Sequence, residues 1–119
     1  MANGLCHFEF MSPNPGRSRE FYSKIFSWKF NQAPEMGGYT MIETGAQPGG
    51  GMMEKPKEAP HPALNVYFMV DDVDAALTKV RGAGGKVINE KTPIPDMGSW
   101  AMFLDPDGIC VGIFEPMKK

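Results

Sequence analysis

The chain lacks most of the features that would assign a chemistry by themselves. Its 119 residues hold only two cysteines, Cys6 and Cys110, too few for a disulfide framework. No apolar run approaches the roughly 18 residues that span a bilayer, so no membrane partner is expected. Twelve lysines and arginines stand against fourteen acidic residues. No basic stripe results, and nucleic acid is excluded as a partner. No phosphate loop, HExxH or nucleophile-elbow pattern is present. The opening stretch MANGLCHFEF has neither a charged leader segment nor a long apolar one, so it does not read as a secretory signal. Both thiols are therefore expected reduced, in a cytoplasmic protein.

What the chain does have is turn residues. Fourteen glycines and eleven prolines break it into short elements. LCHFEFMS reads as a strand, with Phe8 and Phe10 on one face and His7, Glu9 and Met11 on the other. NPGRSREFYSKIF reads as a helix, with Asn14 as its cap, Pro15 at its first position and Phe21, Tyr22, Ile25 and Phe26 as its apolar stripe. Three short strands follow in WKFNQ, GYTMIET and GGMMEK.

The second half repeats the plan. ALNVYFMV is a strand, and DDVDAALTKVRGAGG is a helix capped by Asp72 and ended by glycines. KVINEK, SWAMFLD and ICVGIFEP are strands, the last two joined by the turn DPDG. A shift of 58 residues sets His7 on Asn65 and Phe10 on Phe68. With a small gap, YTMI falls on WAMF and GMME on GIFE, so that Gly51 matches Gly112. The common order of elements marks a tandem duplication. We expect one domain over 1–119: a βαβββ unit at 4–54, a Pro-rich connector at 55–62 and a second unit at 63–116. Phe8, Phe10, Val66, Phe68 and Val70 belong under the helices. The opposite face carries His7, Glu9, Met11, Asn65, Tyr67 and Met69, a mixture that suits the lining of a small-molecule cavity. A solvated or dimer-contact face is the alternative. Tyr39, Met41, Trp100 and Met102 could add walls, but the register of the third strands is not readable.

The segments HFEF…RSREFYSKIFSWKF, NVYFMVDDVDAAL…GGKV and MGSWAMFLDPDGICVGIFEP resemble the vicinal oxygen chelate superfamily: glyoxalase I, extradiol dioxygenases and bleomycin-resistance proteins. The resemblance implies an α+β fold of two tandem βαβββ units in a curved, partly closed mixed sheet. It also implies, for metal-dependent members, one His, Gln or Glu ligand on the first and last strand of each unit. Matched onto this chain, those positions are His7, Gly51, Asn65 and Gly112. Two glycines and an asparagine leave His7 as the one strong donor, whereas a catalytic zinc usually has three protein ligands.

The expectation is thus a protein that binds a small organic molecule through His7, Glu9, Asn65, Tyr67, Trp100, Gly51 and Gly112, without a cofactor, as a homodimer. On this reading the glycines leave bare backbone for a planar ligand. Three alternatives stay open. One is a metal-dependent glyoxalase-like lyase or dioxygenase with a divalent ion in an altered site of His7 and Glu9. Another is a nucleophilic Cys110 activated by His7. A third is a vestigial cavity in an interaction protein.

Overall fold

A computed structural model describes residues 3–33, 38–57 and 62–117. Residues 58–61 of the expected connector lie outside that set. The chain divides into two compact units, residues 7–65 and residues 1–6 with 66–119. Both follow the βαβββ order.

The first half contains β1 (Leu5–Ser12), α1 (Pro15–Ile25), β2 (Lys29–Ala33), β3 (Tyr39–Glu43) and β4 (Gly50–Glu54). Strand β4 runs parallel to β1 and antiparallel to β3, which is antiparallel to β2. The side-chain oxygen of Asn14 accepts the Arg17 N–H at 3.0 Å and caps α1. Tyr22 of α1 meets Phe10 with ring centroids 5.0 Å apart, and Phe26 stacks on Trp28 at 4.5 Å. The expected apolar stripe of α1 forms, but it is not buried. Phe21 is 56% and Ile25 54% exposed, and no residue of the helix is fully covered. The fully covered apolar side chains of this half lie on its strands instead, Ile42 on β3 and Met52 on β4.

The second half contains β5 (Ala63–Met69), α2 (Val73–Gly82), β6 (Lys86–Ile94), β7 (Gly98–Leu104) and β8 (Cys110–Pro116). Strand β8 is parallel to β5 and antiparallel to β7, which is antiparallel to β6. Register shifts bend β6 between Val87 and Thr92, and this strand runs beyond the expected KVINEK. Val73 and Leu77 of α2 pack on Ala101 and Ile113, with Val70, Ala76, Val87 and Phe103 around them. Phe68 was expected under a helix, yet it is 36% exposed. The two buried residues of α2 sit over Ala101 and Ile113 and leave that ring partly in solvent.

Two local devices fix the ends of this half. In the DPDG turn, Asp105 Oδ1 accepts the N–H groups of Asp107 and Ile109, both at 2.9 Å. Gly108 takes a φ of +90°, a conformation costly for other residues. Residues 1–6 join the second half because Gly4 O accepts Met69 N–H at 2.9 Å and Asn3 Nδ2 donates to Met69 O at the same distance.

The duplication is visible in the registers. Glu9 and Met41 flank Gly51 on β1 and β3, and Tyr67 and Met102 flank Gly112 on β5 and β7. These are equivalent places in the two repeats.

Candidate functional site

In residues 7–65 the alternation of β1 sends Phe8 and Phe10 towards α1, so His7 and Glu9 point the other way. Strand β4 has glycines at two successive positions, one per face. The Phe8 ring covers Gly50 on the helix side. On the opposite side Tyr39 covers Gly51, and a Cβ built at Gly51 would lie 1.9 Å from the Tyr39 hydroxyl oxygen. That hydroxyl donates to Glu9 Oε2 at 2.9 Å and meets His7 Nε2 at 2.8 Å. A hydroxyl has one proton. Given to Glu9, it leaves the oxygen to accept from His7, which assigns the imidazole its Nε2–H tautomer. Glu9 is buried, and burial pushes the His7 pKa below its ordinary value of 6.5. The result is a directional chain, imidazole to phenol to carboxylate. It holds a neutral imidazole in one orientation, with Nε2 protonated and Nδ1 left as the acceptor nitrogen.

The second repeat keeps this scaffold and changes its chemistry. Tyr67 lies over Gly112, where a Cβ would fall 2.3 Å from the ring. Trp100 meets Tyr67 edge to face with centroids 6.4 Å apart. Met102 and Phe114 share this helix-free face by register. Glu9 and Tyr39 make a polar pair in one repeat; their counterparts Tyr67 and Trp100 make an aromatic pair in the other.

The expectation of bare glycine backbone is therefore corrected. Gly51 and Gly112 do face away from the helices, but each lies under a tyrosine ring of its own unit. The Tyr39 hydroxyl bridges His7 to Glu9. Asn65 is 5% exposed, and its Nδ2 has no hydrogen-bond partner. Tyr39 is the residue that sequence reasoning left unplaced. The match of YTMI to WAMF carried the signal, because it sets Tyr39 level with Trp100.

Burial raises the Cys110 thiol pKa, which weighs against the nucleophile alternative, since a reactive thiolate needs a lowered one. Cys6 is raised likewise, and its thiol points to Tyr67 O at 3.5 Å. Glu115 turns to the helix side, as strand parity requires. Its Oε1 accepts the Val73 N–H at 2.7 Å, and its Oε2 lies 3.5 Å from Lys91 Nζ.

The donor set does not suit the divalent ion of the metal-dependent superfamily members. Gly51 and Gly112 offer no side chain, and tyrosine rings fill the space where one would start. Glu9 already accepts from Tyr39. Among the described residues, no three His, Cys, Asp or Glu side chains come together as a metal site.

A family model described as Glyoxalase/Bleomycin resistance protein/Dioxygenase superfamily matches residues 4–113. CFP32 of Mycobacterium tuberculosis, which carries the name glyoxylase, is 32% identical over 113 residues, 93% of this chain and 43% of that protein. The anthracycline biosynthesis protein DnrV of Streptomyces peucetius is 30% identical over 123 residues, 90% of this chain and 45% of its own length. The chain thus spans less than half the length of these relatives. Among solved structures, protein BH1468 of Bacillus halodurans aligns with a TM-score of 0.74 at 17% identity, covering 100% of this chain and 98% of that one. Methylmalonyl-CoA epimerase of Mycobacterium tuberculosis aligns at 0.69 and 16% identity, covering 97% and 89%. The Mn(II)-bound glyoxalase of Novosphingobium aromaticivorans aligns at 0.67 and 16% identity, covering 95% and 38%. At these identities the structures speak for the fold alone.

Proposed function

The chain belongs to the glyoxalase/bleomycin resistance protein/dioxygenase superfamily, and we propose that it binds a small organic ligand on the helix-free faces of its sheets without a metal ion. The observation that carries this is the His7–Tyr39–Glu9 chain seated over Gly51. It places oriented hydrogen-bonding groups on a face that also holds Met41, the pattern of a binding surface with a few polar anchors. The other repeat has its own helix-free surface, where Tyr67 and Trp100 over Gly112 make an aromatic patch. The names of two relatives support this direction, one a glyoxylase and one a protein of anthracycline biosynthesis.

The protein acts in the cytoplasm as a homodimer on this reading. The exposed Phe21 and Ile25 of α1, with Phe26 just past its end, support association between copies. Among the described residues, no helix is long and apolar enough to cross a membrane.

A thermal-shift screen of a small-molecule library that includes an anthracycline tests the binding reading. Hits should stabilise the wild type and stabilise Tyr39→Phe less, because Phe cannot bridge His7 to Glu9. Hits that stabilise both proteins equally, or that need an added divalent ion, count against it.

A further inference from the structure

Asn65 Nδ2 is, among the described residues, the one buried side-chain nitrogen or oxygen without a hydrogen-bond partner. Buried polar groups in folded proteins are nearly always satisfied, so an orphan amide at 5% exposure needs an acceptor from outside the chain. Asn65 occupies the place in its repeat that His7 holds in the other. It also shares a face of β5 with Tyr67, whose ring lies over Gly112 on the side away from α2. Its position is therefore on a helix-free face, where the ligand reading needs it.

The charge of that acceptor follows from the other buried groups. Among the described residues, the buried polar and charged ones are Glu9, Ser12, Thr40, Asn65, Ser99 and Glu115. None is a lysine or arginine. An anionic ligand oxygen buried against Asn65 would find no buried cation to offset its desolvation. Within residues 7–65, the charged side chain that is buried is a carboxylate, Glu9. An uncharged carbonyl oxygen accepts from an amide without that cost.

We propose that Asn65 Nδ2 is the anchoring donor for an uncharged carbonyl group of the ligand, and that the site discriminates against carboxylates. This inference rests on the ligand-binding reading above and narrows it to a chemical class. Asn65 acts as a binding residue that leaves its amide unsatisfied in the free protein.

Four probes of one size separate the possibilities: acetophenone, benzoate, benzylammonium and ethylbenzene. Titration into ¹⁵N-labelled protein, followed at the Asn65 side-chain amide, reads both affinity and contact. Acetophenone should bind tightest and move the Asn65 amide protons downfield. Asn65→Leu should weaken acetophenone by roughly three- to ten-fold while the free protein stays as stable as wild type or becomes more so, since an unsatisfied group is replaced by an apolar one. A purely structural asparagine would instead lose stability on that change.

If ethylbenzene binds as well as acetophenone, or benzoate binds better, the Asn65 inference fails and the ligand-binding reading stands. A long-lived water that stays on the Asn65 amide at saturating acetophenone also overturns the inference. If none of the four probes moves any resonance of the helix-free faces, both readings fall.

Discussion

At the scale of single residues, the two glycines decide most of the chemistry. Each lets a tyrosine ring come against a strand, and each lacks the side chain that the superfamily resemblance implies for a metal-dependent member. A methyl group at Gly51 would collide with the Tyr39 hydroxyl, and one at Gly112 with the Tyr67 ring. We expect Gly51→Ala and Gly112→Ala each to cost about 1–3 kcal/mol, the usual range for overpacking, as measured by urea denaturation. Gly51→Ala should also break the contacts of Tyr39 to His7 and Glu9, whereas Gly112→Ala should leave them intact. Tyr39 fluorescence cannot separate these in the presence of tryptophan, so the His7 ring signals in ¹⁵N NMR are the better reporter. His7 yields a second expectation. Burial lowers its pKa from 6.5, so below that pH the unfolded chain takes up a proton that the folded chain resists. Stability is then complete above pH 6.5 and falls as pH drops towards the folded pKa. His7→Gln should flatten this part of the pH–stability profile. An unchanged slope in the variant would show that other groups account for it.

At the scale of elements, the helices and strands were legible because their signals are local. Asn14 with Pro15, and Asp72 with the glycines after Gly82, mark helix ends by chemistry that acts within a turn. The facing of the third strands was not legible, because a one-residue change of register moves every side chain to the other face. Tyr39 fell into that gap, and with it the bridge of the candidate site. The exposure of α1 was hidden for a related reason: an apolar stripe reports what a helix could bury and not how much it does. One tie between elements was legible only as an orientation. Strand parity put Glu115 on the helix face, but not its bond to the first N–H of α2. That carboxylate satisfies an otherwise orphan donor at the positive end of the helix. Removing it by Glu115→Ala should cost about 1–3 kcal/mol, the desolvation penalty of an unsatisfied buried group. Asp72→Ala, which removes the cap on Ala75 N–H, should cost about 0.5–2 kcal/mol. Equal losses for Glu115→Ala and for an exposed control such as Glu54→Ala would refute the role of Glu115.

At the scale of the whole molecule, the duplication explains how a fold can be conspicuous in the sequence while its chemistry is not. The repeat registers place Glu9, Met41 and Gly51 as they place Tyr67, Met102 and Gly112, so the scaffold is specified twice. What differs is the side chain set upon it, and only packing decides which ring covers which glycine. Tyr39 reaches Gly51 from β3, whereas Tyr67 reaches Gly112 from β5. This asymmetry bears on the metal question. Restoring one carboxylate by Gly51→Glu would not rebuild an ion site, because Tyr39 already fills the space where that side chain must begin. The new carboxylate could enter only by expelling the ring, and Gly112 would still supply no donor. We therefore expect the wild type and Gly51→Glu to hold zinc, manganese, nickel or iron at well below one ion per chain after dialysis, by elemental analysis. Gly51→Glu should instead be recovered with a lower melting temperature. Removing the ring as well, in Gly51→Glu with Tyr39→Ala, should restore part of that loss and leave His7, Glu9 and the new carboxylate as donors on one face. Metal-dependent stabilisation should therefore first appear in the double variant. One tightly held ion per chain in the wild type, lost on His7→Ala, would instead mean that the Tyr39 bridge gives way to an ion, and the metal-free reading would fall with it.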